Sequence, residues 1–200
     1  MKFGAHMKYI IKKLKSLDWT NIEKANINIY PWGCSYRPEA YAQLCIVEGE
    51  GLHIKMSCKE QDPKAVYTEF YDEVWLDSTM EFFFGVKDGD YINCEMNSIG
   101  TSLIGVGAGR ENRVRIDEYC DIPKVIAEKK DGWWSVSTLF TYDMIEKVFG
   151  KNILESGFVG NLYKVGEHTA SPHYGMWSPI DWKEPDFHRP EFFGDFVIGE

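Results

Sequence analysis

Apolar and polar residues alternate with a period of two along most of this chain, a pattern typical of short, half-buried β-strands. Residues 41–47 and 51–58 are two such segments, and the glycine-containing turn between them predicts a hairpin. An Asp-Gly turn predicts a second hairpin between residues 74–86 and 91–97. Further strands are predicted at residues 25–30, 133–140, 158–165 and 191–198.

Helical spacing is confined to residues 141–149, where Thr141 is suited to be the N-cap and Gly150 to end the helix. Residues 167–190 are rich in Pro, His and Trp and show no regular pattern. Irregular segments of this length are often functional in a compact domain. The whole pattern predicts an all-β protein, an antiparallel and jelly-roll-like β-sandwich with one short helix and a long irregular C-terminal segment.

The predicted strand at residues 91–97 is informative because its two faces differ in chemistry. Successive side chains of a strand point to opposite faces. One face carries Ile92, Cys94 and Met96, and the other carries Tyr91, Asn93, Glu95 and Asn97. The first face is predicted to be core, whereas the second is either a solvated sheet face or the floor of a binding site. Glu81 of the partner strand points to the same polar face, near its Asn97 end.

Composition and charge restrict the partners of the protein. The chain has 200 residues, of which 44% are hydrophobic, which fits a single globular domain. The formal net charge of −9 disfavours nucleic acid and an anionic membrane surface as partners. With 7 Trp, 11 Tyr and 12 Phe, the chain has more aromatic residues than its core needs, so we expect some at the surface. Five cysteines without a C-x-x-C pair predict buried, reduced thiols in a reducing compartment.

The beginning of the chain gives the expected domain bounds and location. Residues 1–6 look like the remnant of an expression vector ahead of a natural start at Met7, so one domain is expected over residues 7–200. No apolar run reaches the ~18 residues that span a bilayer, and no signal peptide is recognised. We therefore expect a cytoplasmic protein, or an extracellular one if a leader has been removed. The oligomeric state is left open.

Four segments together resemble the carbohydrate-binding family 9-like proteins: VWLDSTMEFFF, YINCEMN, GAGRENR and HYGMWSPIDWKEPDFHRPEFFG. The resemblance implies a β-sandwich module in which two tryptophans clamp a sugar ring while polar side chains bind its hydroxyl groups. By motif position the tryptophans are Trp75 and Trp177, and the polar ligands are Glu81 and Asn97. Glu95 stands where those relatives carry an arginine. Structural calcium also occurs in the family, but this sequence has no D-x-D-x-D-G loop to hold it.

The chemistry of these residues suits a pyranose ring. An aromatic ring covers the apolar C–H face of the sugar, at roughly 25 cal/mol per Å², and carboxylates and amides bond its hydroxyl groups. Three arginines follow the segment GVGAG: Arg110, Arg113 and Arg115. One arginine of this basic cluster is expected to offset the charge of the carboxylates. The predicted ligand-binding set is therefore Trp75, Glu81, Glu95, Asn97, Arg110, Tyr174 and Trp177.

The leading hypothesis is non-catalytic binding of a mono- or oligosaccharide between two tryptophans. A glycan-active enzyme is the alternative, with Glu81 and Glu95 as its paired carboxylates. Such an enzyme needs a carboxyl group with a raised pKa, and the sequence marks no apolar pocket that would raise one. A haem protein is suggested only by analogy with related sandwiches. His53 and Met56 are three residues apart on a strand and face opposite sides, which argues against haem.

Overall fold

Strands dominate the architecture in a computed structural model that describes residues 6–199. The first eight strands are β1 (Lys8–Leu14), β2 (Ala25–Asn26), β3 (Glu39–Val47), β4 (Gly51–Lys59), β5 (Thr79–Gly85), β6 (Tyr91–Asn97), β7 (Ser102–Gly107) and β8 (Val114–Arg115). The remaining elements are β9 (Ile126–Lys130), β10 (Trp133–Thr141), the helix α1 (Tyr142–Phe149), β11 (Phe158–Gly166), β12 (His173–Met176) and β13 (Gly194–Ile198). Short 3-10 turns lie at Val74–Leu76, Ile116–Glu118 and Pro190–Phe192.

The strands pair into one curled, mixed sheet in the order β8-β7-β6-β5-β11-β13-β1-β3-β4-β10-β9, with β12 beside β11 and β2 beside β3. β1 joins the two halves, because residues 8–11 pair with β13 and residues 12–14 pair with β3, both in parallel. The prediction of a purely antiparallel sheet is therefore wrong, although the mainly β composition with one helix is confirmed. The jelly-roll sandwich stays a prediction, since the pairing gives a single curled sheet.

One hydrophobic core is shared by both halves of the sheet. Phe82 and Phe84 of β5 stack with their ring centroids 4.4 Å apart, and Phe140 of β10 packs edge-on against both rings. The predicted apolar face of β6 belongs to the same core: Ile92, Cys94 and Met96. Because the residues between these alternate with them, the intervening side chains of β5 and β6 point to the outer face of the sheet.

Several local predictions are confirmed by the backbone. The Oγ1 atom of Thr141 accepts a hydrogen bond from the amide of Met144 at 3.2 Å, and α1 ends at Gly150 with φ 65°. The hairpin between β3 and β4 turns through Gly49, which has φ 79°. Residues 167–190 are less irregular than predicted because they contain β12, which pairs with β11. That strand has only four residues, too few for its alternation to stand out.

The cysteines and the histidine at position 53 occupy the environments that their patterns predict. Four cysteines are buried and the fifth is half-buried: Cys34, Cys45, Cys58, Cys94 and Cys120. Met56 lies in the core, whereas the Nε2 atom of His53 is 2.7 Å from the Glu50 carboxylate on the opposite face. Over residues 6–199, no helix is both long and apolar enough to cross a membrane. The suggested vector remnant falls, for residues 1–5, outside the described residues.

Candidate functional site

A pocket of about 380 Å³ lies on the outer face of the sheet, over β5, β6 and the end of β11. Its floor carries the side chains that alternate with the core residues: Glu81, Phe83, Asn93 and Glu95. Its walls come from loops and from β7, β11 and β12: Tyr71, Trp75, Leu103, Arg110, Arg113, Val165, Glu167 and Tyr174. A volume of this size is within the range of small-ligand sites.

Residues 185–188 of the C-terminal segment cover one side of the pocket. The ring of Phe187 stacks on Tyr163 with centroids 4.0 Å apart, and the hydroxyl group of Tyr163 donates to the carbonyl of Phe187 at 3.1 Å. The hydroxyl group of Tyr91 lies 2.7 Å from the Nδ1 atom of His188. Burial, with the charges of nearby arginines, lowers the pKa of His188 to about 3. This histidine is therefore neutral at pH 7.

Glu81 and Glu95 are direct cross-strand partners at the floor of the pocket. They are only 3% and 5% exposed. The Oε1 atom of Glu95 accepts a hydrogen bond from the Nδ2 amide of Asn93 at 2.8 Å, whereas its buried Oε2 atom has no partner among the described residues. Burial raises the pKa of Glu95 to about 7. Burial and the neighbouring Glu95 carboxylate hold the pKa of Glu81 well above its usual range.

Arg113 holds this floor in place. Its Nε–H donates to the Oδ1 atom of Asn93 at 2.6 Å, which orients the amide that Asn93 offers to Glu95. Its two Nη groups donate to backbone carbonyls of Tyr91, Gly105, Gly107 and Gly109. Gly105 is needed beneath this contact, since a Cβ atom there would be 2.8 Å from the Oδ1 atom of Asn93. The network therefore fixes the position of the Glu95 carboxylate.

The indole of Trp75 reaches the pocket from the 3-10 turn Val74–Leu76. The buried carboxylate of Asp77, directly after this turn, anchors it. Its Oδ2 atom accepts hydrogen bonds from the amides of Val66 and Tyr67 and from the Nδ2 group of Asn97. Trp75 itself stays half-buried and lines the pocket, so part of its surface is available to a ligand.

The structure brings five of the predicted site residues together around the pocket: Trp75, Glu81, Glu95, Arg110 and Tyr174. Asn97 is not among its lining residues. Its side chain is fully buried, donates to Asp77 and to the carbonyl of Tyr67, and accepts from the amides of Ile99 and Thr101. Asn97 therefore closes the β6–β7 turn and supports the Trp75 segment from below.

Trp177 corrects the predicted pair of indole clamps. Its side chain is 3% exposed and lies in the main core, with its ring 5.0 Å from that of Phe196. The preceding residue, Met176, packs instead in a second cluster, here called the outer aromatic cluster, with Phe83, Tyr91, Tyr163, Ile180 and Phe193. Adjacent residues of an extended chain point to opposite faces of a sheet. Met176 therefore points to the outer face, and Trp177, the next residue, points into the core. The aromatic groups on that side of the pocket are Tyr174 and Phe187.

Several pocket residues were missed by the sequence analysis. Asn93 and Arg113 carried a usable signal, because Asn93 shares a strand face with Glu95 and Arg113 belongs to the same basic cluster as Arg110. The third arginine of that cluster, Arg115, is bound by Asp117 at 2.6 Å, in keeping with a surface salt bridge. Contributions of Asp186, Phe187 and His188 depend on how an irregular segment folds back, and nothing in the local pattern shows it.

The calcium suggested by the family resemblance finds no matching residues. Over residues 6–199, no group of three or more His, Cys, Asp or Glu side chains is arranged to hold a metal ion.

Comparisons with known proteins agree with the fold and the resemblance. A family model described as carbohydrate-binding family 9 matches residues 12–198. The chain is also similar to a crystal structure of a "putative carbohydrate-binding protein" from Bacteroides uniformis ATCC 8492, with a TM-score of 0.83 and 23% sequence identity. That alignment covers 98% of this chain and 100% of the other, and at this identity it shows a shared fold. No curated protein matches the chain.

Proposed function

Because this chain belongs to carbohydrate-binding family 9, we propose that it binds a mono- or oligosaccharide in the pocket above Glu81 and Glu95. The observation that carries the proposal is a pair of buried carboxyl groups that open into an aromatic-lined pocket. Buried carboxyl groups are costly unless hydrogen-bonded. Hydroxyl groups of a sugar supply the donors that the protein does not.

The pocket has aromatic and hydrogen-bonding parts, which match the apolar face and the hydroxyl groups of a pyranose ring. Trp75, Tyr174 and Phe187 offer aromatic surface for the apolar face of the ring. Glu81 and Glu95 offer acceptors for its hydroxyl groups. The two-tryptophan clamp is replaced in this proposal by Trp75 together with Tyr174 and Phe187, because Trp177 lies in the core.

Isothermal titration against a broad panel of mono- and oligosaccharides, with Trp fluorescence as a second measurement, tests the proposal. Trp75→Ala should weaken binding at least tenfold, since it removes the aromatic surface. The matched control is Trp133→Ala, which removes a half-buried tryptophan from β10, outside the pocket, and should leave the affinity unchanged. A panel without any binding sugar, or equal losses in both variants, would contradict the proposal.

A glycan-active enzyme is a second candidate, favoured by the raised pKa values of the floor carboxyl groups. A carboxyl group that keeps its proton near pH 7 is what general-acid catalysis of glycoside cleavage requires. Release of the aryl group from a panel of aryl glycosides, compared between the wild type and Glu81→Gln, measures this activity. Turnover that Glu81→Gln abolishes would support the enzyme, whereas binding without turnover supports a non-catalytic module.

A further inference from the structure

Acidic groups outnumber basic groups in the pocket. Its lining contains four carboxyl groups and two guanidinium groups: Glu81, Glu95, Glu167 and Asp186 against Arg110 and Arg113. The imidazole ring of His188 is neutral at pH 7 and adds no positive charge. The Asp186 carboxylate lies 2.8 Å from the Nε atom of Arg189, so the acidic excess rests on the other three carboxyl groups.

Arg110 and Arg113 lower the pKa of Glu95 through their charges, but their own bonding partners lie elsewhere. All the donor atoms of Arg113 are used by the Asn93 side chain and by backbone carbonyls. The side chain of Arg110 is 70% exposed, and its Nη1 atom lies 3.8 Å from the Asp186 carboxylate. Among the described residues, no ion pair joins either arginine to Glu81 or Glu95. Without such a partner the floor carboxyl groups keep raised pKa values, and a positive charge that arrives with the ligand would favour their ionised forms and pair with them.

The floor also has unused acceptors. Among the described residues the buried Oε2 atom of Glu95 has no hydrogen-bond partner, and Glu81 is its direct cross-strand neighbour. A hydroxyl group brings one donor and no charge to these atoms. A primary ammonium group brings three N–H donors and a positive charge, and hydrogen bonds between ionised groups are about twice as strong as neutral ones.

On the basis of the function proposed above, we propose that the pocket selects amino sugars, with a protonated primary amine between Glu81 and Glu95 and the sugar ring against Trp75 and Tyr174. The ammonium group supplies the donor that Glu95 Oε2 lacks and a positive charge beside Glu81. Acetylation of the amine removes its charge and two of its three N–H donors, so an N-acetyl sugar loses this advantage.

The test compares glucosamine, glucose, N-acetylglucosamine, methylamine and choline by isothermal titration against the wild-type protein at pH 7. Glucosamine should bind about tenfold or more tightly than glucose and N-acetylglucosamine, the gain of one charged hydrogen bond. Methylamine tests the ammonium group without the ring, and choline tests the charge without N–H donors. Both should bind at least tenfold more weakly than glucosamine.

The outcomes separate this inference from the proposed function. Glucose that binds as tightly as glucosamine overturns the amino-sugar preference and leaves sugar binding intact. Methylamine or choline that matches glucosamine also overturns it, in favour of a general cation site. A pocket that binds none of the compounds, nor any sugar of the broader panel, overturns both.

The variant Glu95→Gln tests whether the preference for an amino sugar arises at the floor of the pocket. This variant keeps the size of the side chain and removes its charge, so the ratio of glucosamine to glucose affinity should fall to within about twofold. Glu128→Gln, which changes a carboxylate with 64% exposure on β9, is the matched control and should keep the full ratio. A folded Glu95→Gln protein with an unchanged ratio contradicts the assignment, and the wild-type comparison decides the preference even if this variant does not fold.

Discussion

Two adjacent residues, Met176 and Trp177, lie in different clusters on opposite faces of the sheet. Met176 packs in the outer aromatic cluster near the pocket, whereas Trp177 lies in the main core against Phe196. The amide of Trp177 donates to the carbonyl of Leu162 at 3.0 Å, which continues the pairing of this segment beside β11. The HYGMWSP motif therefore identifies a segment that contributes to the pocket. The alternation of side chains along this segment places Tyr174 in the pocket lining and Trp177 in the core.

Trp177→Ala should lower the stability of the protein, because the indole packs against core rings. It should not act on the pocket directly, because Trp177 is not among the lining residues. Removal of a buried tryptophan typically lowers the free energy of unfolding by about 3–5 kcal/mol. Urea unfolding followed by circular dichroism measures this loss. Trp133→Ala, at a half-buried position outside the main core, should cost clearly less. A Trp177→Ala protein with wild-type stability and no sugar affinity would instead support the predicted clamp of two tryptophans.

At the scale of elements, the best-predicted feature is α1, because its signals are local. The hydroxyl group of Thr141 and the left-handed conformation of Gly150 lie within one turn of the helix ends. The position of β1 is the opposite case. Its residues pair in parallel with β13 and β3, strands that are far apart in the sequence. No local pattern distinguishes a strand that joins two halves of a sheet from one at its edge.

Thr141→Ala tests the cap of α1. Loss of the hydroxyl group leaves the amide of Met144 without its side-chain acceptor, and removal of such a cap costs about 1 kcal/mol. Thermal unfolding of Thr141→Ala and Thr141→Ser provides the measurement. Thr141→Ser keeps the acceptor and should retain most of the stability. Equal losses in the two variants would show that the methyl group, and not the cap, matters here.

For the whole molecule, buried histidines and buried carboxyl groups determine how the free energy of unfolding depends on pH. Burial lowers the pKa of His173 to about 4 and that of His188 to about 3. The folded state therefore gains stability from these neutral rings above pH 6.5 and loses it as the pH falls towards 4. The pKa of Glu95 is raised to about 7 and that of Glu81 is held well above its usual range, so the stability that their protonated forms contribute is complete at low pH and decreases as the pH rises towards these raised values.

The two effects oppose each other below pH 6.5, and only the carboxyl groups act above it. We expect the free energy of unfolding to fall by roughly 1–2 kcal/mol between pH 6.5 and 8 in the absence of ligand. Urea titrations at several pH values measure this slope. Glu95→Gln cannot ionise and should flatten it, whereas Glu128→Gln should not. A slope that is the same in both variants would place its origin outside the floor of the pocket.

Local patterns in the sequence predict most of the long strands, the helix with its caps and the two faces of β6, because alternation and capping depend on residues a few positions apart. They do not predict β1, β9 or β12. The sequence also determined the family, through motifs spread over most of the chain, and it identified Glu81, Glu95, Trp75, Arg110 and Tyr174. The proximity of Glu81 and Glu95 follows from hairpin register, which the Asp-Gly turn between β5 and β6 already constrains, whereas the other three residues reach the pocket from separate elements.

Only the tertiary structure decided the mixed sheet, the burial of Trp177 and Asn97, and the return of residues 185–188 over the pocket. Each of these depends on contacts between segments distant in sequence, such as Tyr163 with Phe187 and Tyr91 with His188. The raised pKa values of Glu81 and Glu95 belong to the same class, because desolvation depends on everything that packs around a carboxyl group and not on its neighbours along the chain.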